Sequence, residues 1–544
     1  MIGARYPRAS AHPQTSDSVV IPAPAGGMDA RVGAGSGDMN VALLLYNLMP
    51  AEYGLQIRSG YRVWAEGFDD EEIRTVIPYQ GLDVSQADDK LFAVTQFGIW
   101  DASTAGGTPT LKVAFGTQTA DAGYGVYTHY VNDNGNDMVY YADGENGLFE
   151  YDTSADTWAQ ATNLVADAGA TTPWAIANIN YVVSHKNRLW FCQKNSNVGW
   201  YLPVAVAQGT VKEFFFARKF KHGGNLVGVY NWTMDGGAGR DDYLVAVSRG
   251  GDVIPYTGGN PDNADDWDST GTFFIGNIPR GARAVSEYGG NLYLLSTLGL
   301  VSMTDLLAGT DPATIVERNS IGYKIARLLR GDVNLYRNSN GWAIKYLPQE
   351  GAILATVPPL ADGTYRQYVY SVSTGAWGIW RDVAMLCSEP YQGELMVGSE
   401  AGRLLRMDVP KDEVASDNTG GNPIKFAALT SYTDFGAPAQ FKRGVFARPN
   451  WSAEVVPTYE CATLYDYSLQ FNDSPTTTAG QTAALWDTAV WDFDVWADDR
   501  GVPEFSLRGT SGMGRTVAIS MSGYAQTGTV LLSWDVSWNT VGFL

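Results

Sequence analysis

Four histidines, three cysteines and 58 acidic side chains are the residues of this 544-residue chain best suited to acid–base, metal or nucleophilic chemistry. His12, His129, His185 and His222 are too far apart for a metal pair such as HxxxH, and nothing resembles HExxH. Each reads as a surface residue or a satisfied core residue. A Ser-His-Asp triad assembles in space, so spacing does not decide that case, but no GxSxG elbow supports one. Cys192, Cys387 and Cys461 are odd in number and form no CxxC pair. Neither a disulfide framework nor a zinc knuckle is expected, and they read as small buried residues in a reduced compartment.

Two Gly-rich stretches, Gly33-Ala-Gly-Ser-Gly37 and Asp235-Gly-Gly-Ala-Gly-Arg240, lack the Lys-Ser/Thr that a P-loop needs, and neither fits GxGxxG. They read as loops. Asp133-Asn-Gly-Asn-Asp137 offers oxygen ligands for calcium, but Met138 stands where an EF-hand needs Gly, so a solvated turn is favoured. Glycoside hydrolysis needs two carboxylates across a sugar bond, and no pair can be selected from the sequence. The Asp-box of sialidases is absent; Thr153-Ser-Ala-Asp-Thr-Trp158 echoes it without the Gly. No catalytic residue, metal ligand or cofactor is therefore assigned. Trp486, Trp491 and Trp496 recur at a spacing of five, which fits neither one strand face nor one helix stripe. They suggest successive turns whose rings plug a sandwich, with exposed stacking platforms for sugars as the functional alternative.

The elements that must carry these residues follow from a phrase recurring about every fifty residues. It is a short apolar strand, a Gly- or Asn-containing turn and a second short strand. It occurs at Leu91 to Asp101, Met138 to Asp152, Leu189 to Tyr201, Tyr243 to Tyr256, Leu292 to Asp305, Trp342 to Val357 and Leu395 to Asp408. Two clear strands with room for two more per period is the pattern of β-propeller blades. Gly (61), Tyr (30) and Trp (17) are abundant, and long helical periodicity is hard to find. The expectation is an all-β chain: a propeller of about six to seven blades, with closure that can combine strands from both ends. A Trp follows a polar turn at Trp158, Trp267 and Trp377, where it would cover the edge between neighbouring blades.

The expected divisions are an N-terminal arm and platform segment at 1–75, the propeller at 76–408, a polar linker at 409–423 and a C-terminal β-sandwich or platform at 424–544. Alternation predicts strands from Tyr465 to Phe471, Thr516 to Met521 and Thr529 to Trp534. Residues 1–18 lack a long apolar run and 41–49 are too short to span a bilayer, so no secretory signal or membrane anchor is expected. The formal net charge of −21 argues against a phosphate-binding surface, yet an acidic wall would let DNA slide past without sticking.

The phrase from Asn47 to Trp64 resembles the tail tubular B, or nozzle, proteins of short-tailed bacteriophages, through Asn47, Pro50, Gly54, Leu55, Arg58, Gly60 and Tyr61. Trp486 to Asp492 and Gly512-Met-Gly514 are similar to the same family. The resemblance implies a structural virion protein. It would form a homohexameric nozzle ring below the portal-adaptor complex, prolong the DNA channel, help retain packaged DNA and conduct it during ejection. It would be assembled in the host cytoplasm, with the adaptor, tail fibre or spike proteins and passing DNA as partners. Gly54 and Gly60 would permit tight turns or positive φ, and Arg58 would pair with a neighbour's carboxylate. The rival is a carbohydrate-binding or glycan-cleaving propeller, such as a tail depolymerase or lectin. A cellular kelch-type scaffold is a further rival, and the N-terminal phrase counts against it.

Overall fold

The computed structural model describes residues 17–31, 38–81, 83–132, 134–235, 240–400, 402–468, 508–509 and 512–543. The chain is all-β and divides into two compact units. One comprises Met1–Gly27, Val32–Ile57 and Lys425–Leu544; the other comprises Met28–Arg31 and Arg58–Ile424.

The larger unit is a seven-bladed β-propeller. Short apolar strands linked by Gly turns can pair only with their sequence neighbours, so each stretch of about fifty residues makes its own antiparallel sheet. Blade 1 runs through Thr75–Tyr79, Lys90–Val94, Gly98–Asp101 and Thr110–Ala114. Blade 2 uses Val126–Val131, Asp137–Ala142, Leu148–Asp152 and Thr157–Gln160. Blade 3 uses Ile179–His185, Arg188–Gln193, Val198–Tyr201 and Gly209–Phe215, with Leu164–Ala166 added parallel to the last. Blade 4 uses Leu226–Asp235, Arg240–Ser248, Asp252–Thr257 and the two-residue Asp268–Ser269. Blade 5 has three strands, Val285–Tyr288, Asn291–Ser296 and Gly299–Ser302. A helical segment replaces its fourth strand: Ser302 caps Met303–Leu307, Asp311 caps Pro312–Thr314, and Ala326–Tyr336 follows. Blade 6 uses Ala343–Leu347, Ala352–Thr356, Arg366–Ser371 and Ala376–Arg381.

Blade 7 closes the ring. Its strands Cys387–Tyr391, Glu394–Gly398 and Arg403–Val409 pair in order, and the fourth is Gly60–Glu66 from the start of the unit. Arg403 lies opposite Glu66 and Val409 opposite Gly60. The boundary of the propeller therefore falls between Ile57 and Arg58, where the sequence suggested 75. The expected linker 409–423 is also partly structured, as a hairpin of Asp412–Val414 and Gly420–Asn422 attached to this closing strand.

Six of the seven recurring phrases coincide with the second and third strands of a blade. The phrase from Trp342 to Val357 is shifted, falling on the first and second strands of blade 6. The three turn-Trp residues reach back onto the preceding blade, as expected. Trp158 meets Phe92 of blade 1 edge-on at 5.3 Å, and Trp267 stacks on Trp190 of blade 3 at 5.7 Å. Trp377 donates its Nε1–H to the Ile321 carbonyl at 2.7 Å.

In the smaller unit, Gln440–Ser452 and Val530–Phe543 form a long antiparallel pair, extended by Asp17–Pro22 against the second of them. Leu48–Ala51 and Gly54–Ile57 form a hairpin on the same sheet. Ala42–Tyr46, Ile424–Thr430, Val517–Ala525 and Thr458–Tyr465 belong to a second sheet. Phe426 of that sheet packs edge-on against Trp451 of the first at 5.4 Å, which makes the unit a sandwich. The strand expected from Tyr465 instead ends there, because Asp466 and Tyr467 take positive φ (48° and 65°). Trp486, Trp491 and Trp496 lie outside the described residues.

Candidate axial channel

The first strand of every blade faces the propeller axis. Together these strands enclose a channel of about 480 Å³, with Thr75, Tyr127, Tyr181, Tyr230, Glu287, Lys345, Tyr346 and Glu389 on its wall. Alternation along a strand sends every second residue between blades and leaves the others toward the axis or its flanks. Glu287, Lys345 and Glu389 each occupy the third position of their first strand.

Lys345 Nζ lies 2.5 Å from Glu389 and 6.0 Å from the centre of the Tyr127 ring. Burial pushes the Tyr127 phenol well up, and Glu389 beside it adds to the effect. His129 stacks on Tyr79 at 6.2 Å and meets Tyr127 edge-on at 5.8 Å. Burial holds this imidazole below its ordinary value, with Asp137 and Glu389 opposing and Lys345 assisting. Glu287 is raised by burial, although it accepts the Thr233 amide at 3.2 Å. The channel thus joins one ion-paired carboxylate, one raised carboxylate and a row of tyrosines. Such a wall can hold a polar chain by hydrogen bonds and ring contacts.

Within an antiparallel blade, connections alternate between ends, so the links entering first strands share one end with the turns between second and third strands. At this end the channel adjoins a polar mouth of about 220 Å³. Asp121 pairs with Arg280 and accepts Asn340 Nδ2 at 2.7 Å. Glu145 pairs with Lys194 across blades 2 and 3. Asp143 is held by the amides of Gly123, Glu145 and Asn146 at 2.7–3.1 Å.

The seven described residues of the Asn47-to-Trp64 phrase named above are framework residues. Asn47 takes positive φ (57°) and donates Nδ2 to the Lys425 carbonyl at 2.8 Å. Pro50 lies opposite Leu55 in the hairpin, and Leu55 is buried opposite Leu531. Gly54 has φ +144°, and a Cβ there would sit 2.2 Å from the Leu531 carbonyl oxygen. Gly60 has no positive φ; its constraint is the Lys411 backbone, whose oxygen would lie 2.1 Å from a Cβ. Arg58, expected to reach a neighbour, grips Asp412 of its own chain through two bonds of 2.7 Å and also bonds the Ser59 carbonyl. Tyr61 is buried nearby, its phenol pushed up to about 12 by burial and then by Asp412.

Of the histidines, His185 is buried between blades, His222 pairs with Asp252 at 2.7 Å, and His129 lies on the first strand of blade 2 against the rings of Tyr79 and Tyr127. Cys192 and Cys387 are buried free thiols and Cys461 is partly buried. No group of three or more metal-ligating side chains occurs among the described residues. The channel residues are not evident in the sequence because they are scattered in ones and twos from 75 to 389; their place in the repeat is the signal that could find them.

No family model matches the chain, and no curated protein does. Among solved structures, the computationally designed Ika8 protein is similar at TM-score 0.32 and 10% identity, over 70% of this chain and 100% of that one. BBS1N, from its complex with ARL6DN, gives 0.28 and 12% over 46% and 74%. YCF48 from Cyanidioschyzon merolae gives 0.25 and 9% over 58% and 79%. At such scores these likenesses add nothing to the fold already described.

Proposed function

We propose that this chain is a structural protein of a bacteriophage tail, a nozzle subunit that forms a hexameric ring below the portal adaptor. In this role it extends the DNA channel, helps retain packaged DNA and conducts it during ejection, with tail fibre or spike proteins attached around it. The observation that carries the reading is the placement of the Asn47-to-Trp64 phrase. Its first half builds a hairpin of the sandwich and its second half supplies the strand that closes the propeller. A phrase spent on the framework of both units suits a protein whose product is a stiff shape. A closed ring hides its strand edges, and the net charge of −21 suits a wall that a polyanion must pass.

Cryo-EM of purified virions tests this directly. Six copies in a ring on the tail axis around a DNA-wide channel are expected. Absence from the axis, or trimers on the periphery, would overturn it in favour of the glycan reading, which Glu287 and Glu389 in one channel keep specific. That alternative requires cleavage or binding of host surface polysaccharide that Glu287→Gln or Glu389→Gln abolishes.

A further inference from the structure

The end of the propeller that carries the mouth also concentrates cations. Arg249, from the second-to-third turn of blade 4, Arg280, from the link into blade 5, and Arg337, from the link into blade 6, line a single adjoining cavity of about 470 Å³ with Asn277 and Asn338. The backbone ties these segments together. Arg249 Nη1 donates to the Ile278 and Pro279 carbonyls at 3.3 and 2.5 Å, and the Arg280 amide donates to the Arg337 carbonyl at 2.7 Å. Arg280 Nη1 reaches the Asn338 carbonyl at 3.5 Å.

Carboxylates do not balance this cup. Arg280 turns one nitrogen to Asp121, but neither Arg249 nor Arg337 forms an ion pair among the described residues. The Arg249 guanidinium is held below its ordinary value by burial, and Arg280 lowers it further, while Tyr230 opposes. Three arginines lining one cavity with a single carboxylate paired to them is unusual in a chain with 58 acids against 37 bases. Guanidinium groups present rigid paired donors that match oxyanions. The donors not engaged by the Ile278, Pro279 and Asn338 carbonyls and by Asp121 suit the oxygens of a phosphate monoester.

We propose that Arg249, Arg280 and Arg337 form a binding site for a phosphate group at one end of the propeller. The site stands independently of the tail reading. The phosphate is either free inorganic phosphate or a terminal phosphate on a nucleic acid.

The test is calorimetric titration of the full chain with inorganic phosphate at low salt. Saturable one-site binding is expected. Arg337→Ala, at an exposed position, is expected to weaken it about tenfold, the scale of one charge-assisted bond. Lys212→Ala, on the outer strand of blade 3, is expected to leave it unchanged. Absence of saturable binding, equal binding by Arg337→Ala and the parent, or equal losses in Arg337→Ala and Lys212→Ala would each overturn the site. A second arm compares a 5′-phosphorylated oligonucleotide with its 5′-hydroxyl form. An advantage for the phosphorylated form that Arg337→Ala removes assigns the phosphate to a nucleic-acid terminus. Equal binding of both forms, with inorganic phosphate still bound, assigns it to the free ion.

Discussion

His185 ends the first strand of blade 3 and is only 5% exposed. Its Nδ1 lies 2.9 Å from Asn231 Oδ1, while Asn231 Nδ2 donates to the Ser184 carbonyl at 2.6 Å. That second bond fixes the amide, so the imidazole proton sits on Nδ1. Nε2 is buried with no hydrogen-bond partner, and protonating it would leave a charged donor unmatched. Burial accordingly pushes this imidazole down to about 4, against the Asn231 bond. The unfolded chain then binds more protons than the folded one between about pH 6.5 and 4, so stability falls as pH drops through that window. Denaturant titrations should show stability about 2 kcal/mol lower at pH 5 than at pH 7 from this residue. His129, also held low by burial, acts in the same direction. His185→Gln should remove the larger share of the slope; an unchanged slope would locate the titration elsewhere. The Arg58–Asp412 clasp makes a second prediction, since the Arg58 side chain is fully buried. Arg58→Met leaves a buried carboxylate uncompensated and should cost about 3–5 kcal/mol, and Arg58→Met with Asp412→Asn should recover part of it. Burial already raises Asp412 despite Arg58, so the single mutant should lose less stability toward acid pH. None of these partnerships was legible in the sequence. His185 is separated from Asn231 by 46 residues and Arg58 from Asp412 by 354, and no local pattern encodes such distances.

At the level of elements, the recurring phrase was readable because a second and third blade strand are buried on both faces and joined by a short turn. That forces an apolar–Gly–apolar pattern at each pass. First and fourth strands carry mixed faces, toward the axis or the rim, and so give no clear pattern in the sequence. The sequence pattern groups Gly60–Glu66 with the N-terminal segment because its partner, Arg403–Val409, follows it at long range. Trp64 tests its importance. The ring is 6% exposed, packs edge-on against Tyr391 at 6.2 Å, donates Nε1–H to the Ala102 carbonyl at 2.8 Å and lies under Arg406. Trp64→Ala should cost about 3–5 kcal/mol, read as a lowered denaturation midpoint with the same final unfolded signal. Gly60→Ala should also destabilise, because its Cβ would meet the Lys411 backbone. A neutral Gly60→Ala would mean that the hairpin Asp412–Val414 yields easily.

For the whole molecule, charge makes the clearest prediction about the proposed hexamer. Subunits of net charge −21 repel one another, and salt screens that repulsion over about 8–10 Å at physiological strength. Native mass spectrometry or sedimentation at rising ionic strength should therefore show association strengthening with salt; association that weakens with salt would point to complementary ion pairs between copies. Composition made the acidity legible, but not the cup of Arg249, Arg280 and Arg337, whose charges collect only when three distant links meet. The closing strand has one more consequence, for the order of events at the ribosome. Residues 60–66 emerge first, yet their partner at 403–409 follows more than 300 residues later. At translation rates of about 5–20 residues per second, roughly 15–70 s pass before the ring can shut. Through that interval blade 1 exposes an unsealed flank, so a chain stalled before residue 403 is an open arc with two sticky ends and a ready client for chaperones.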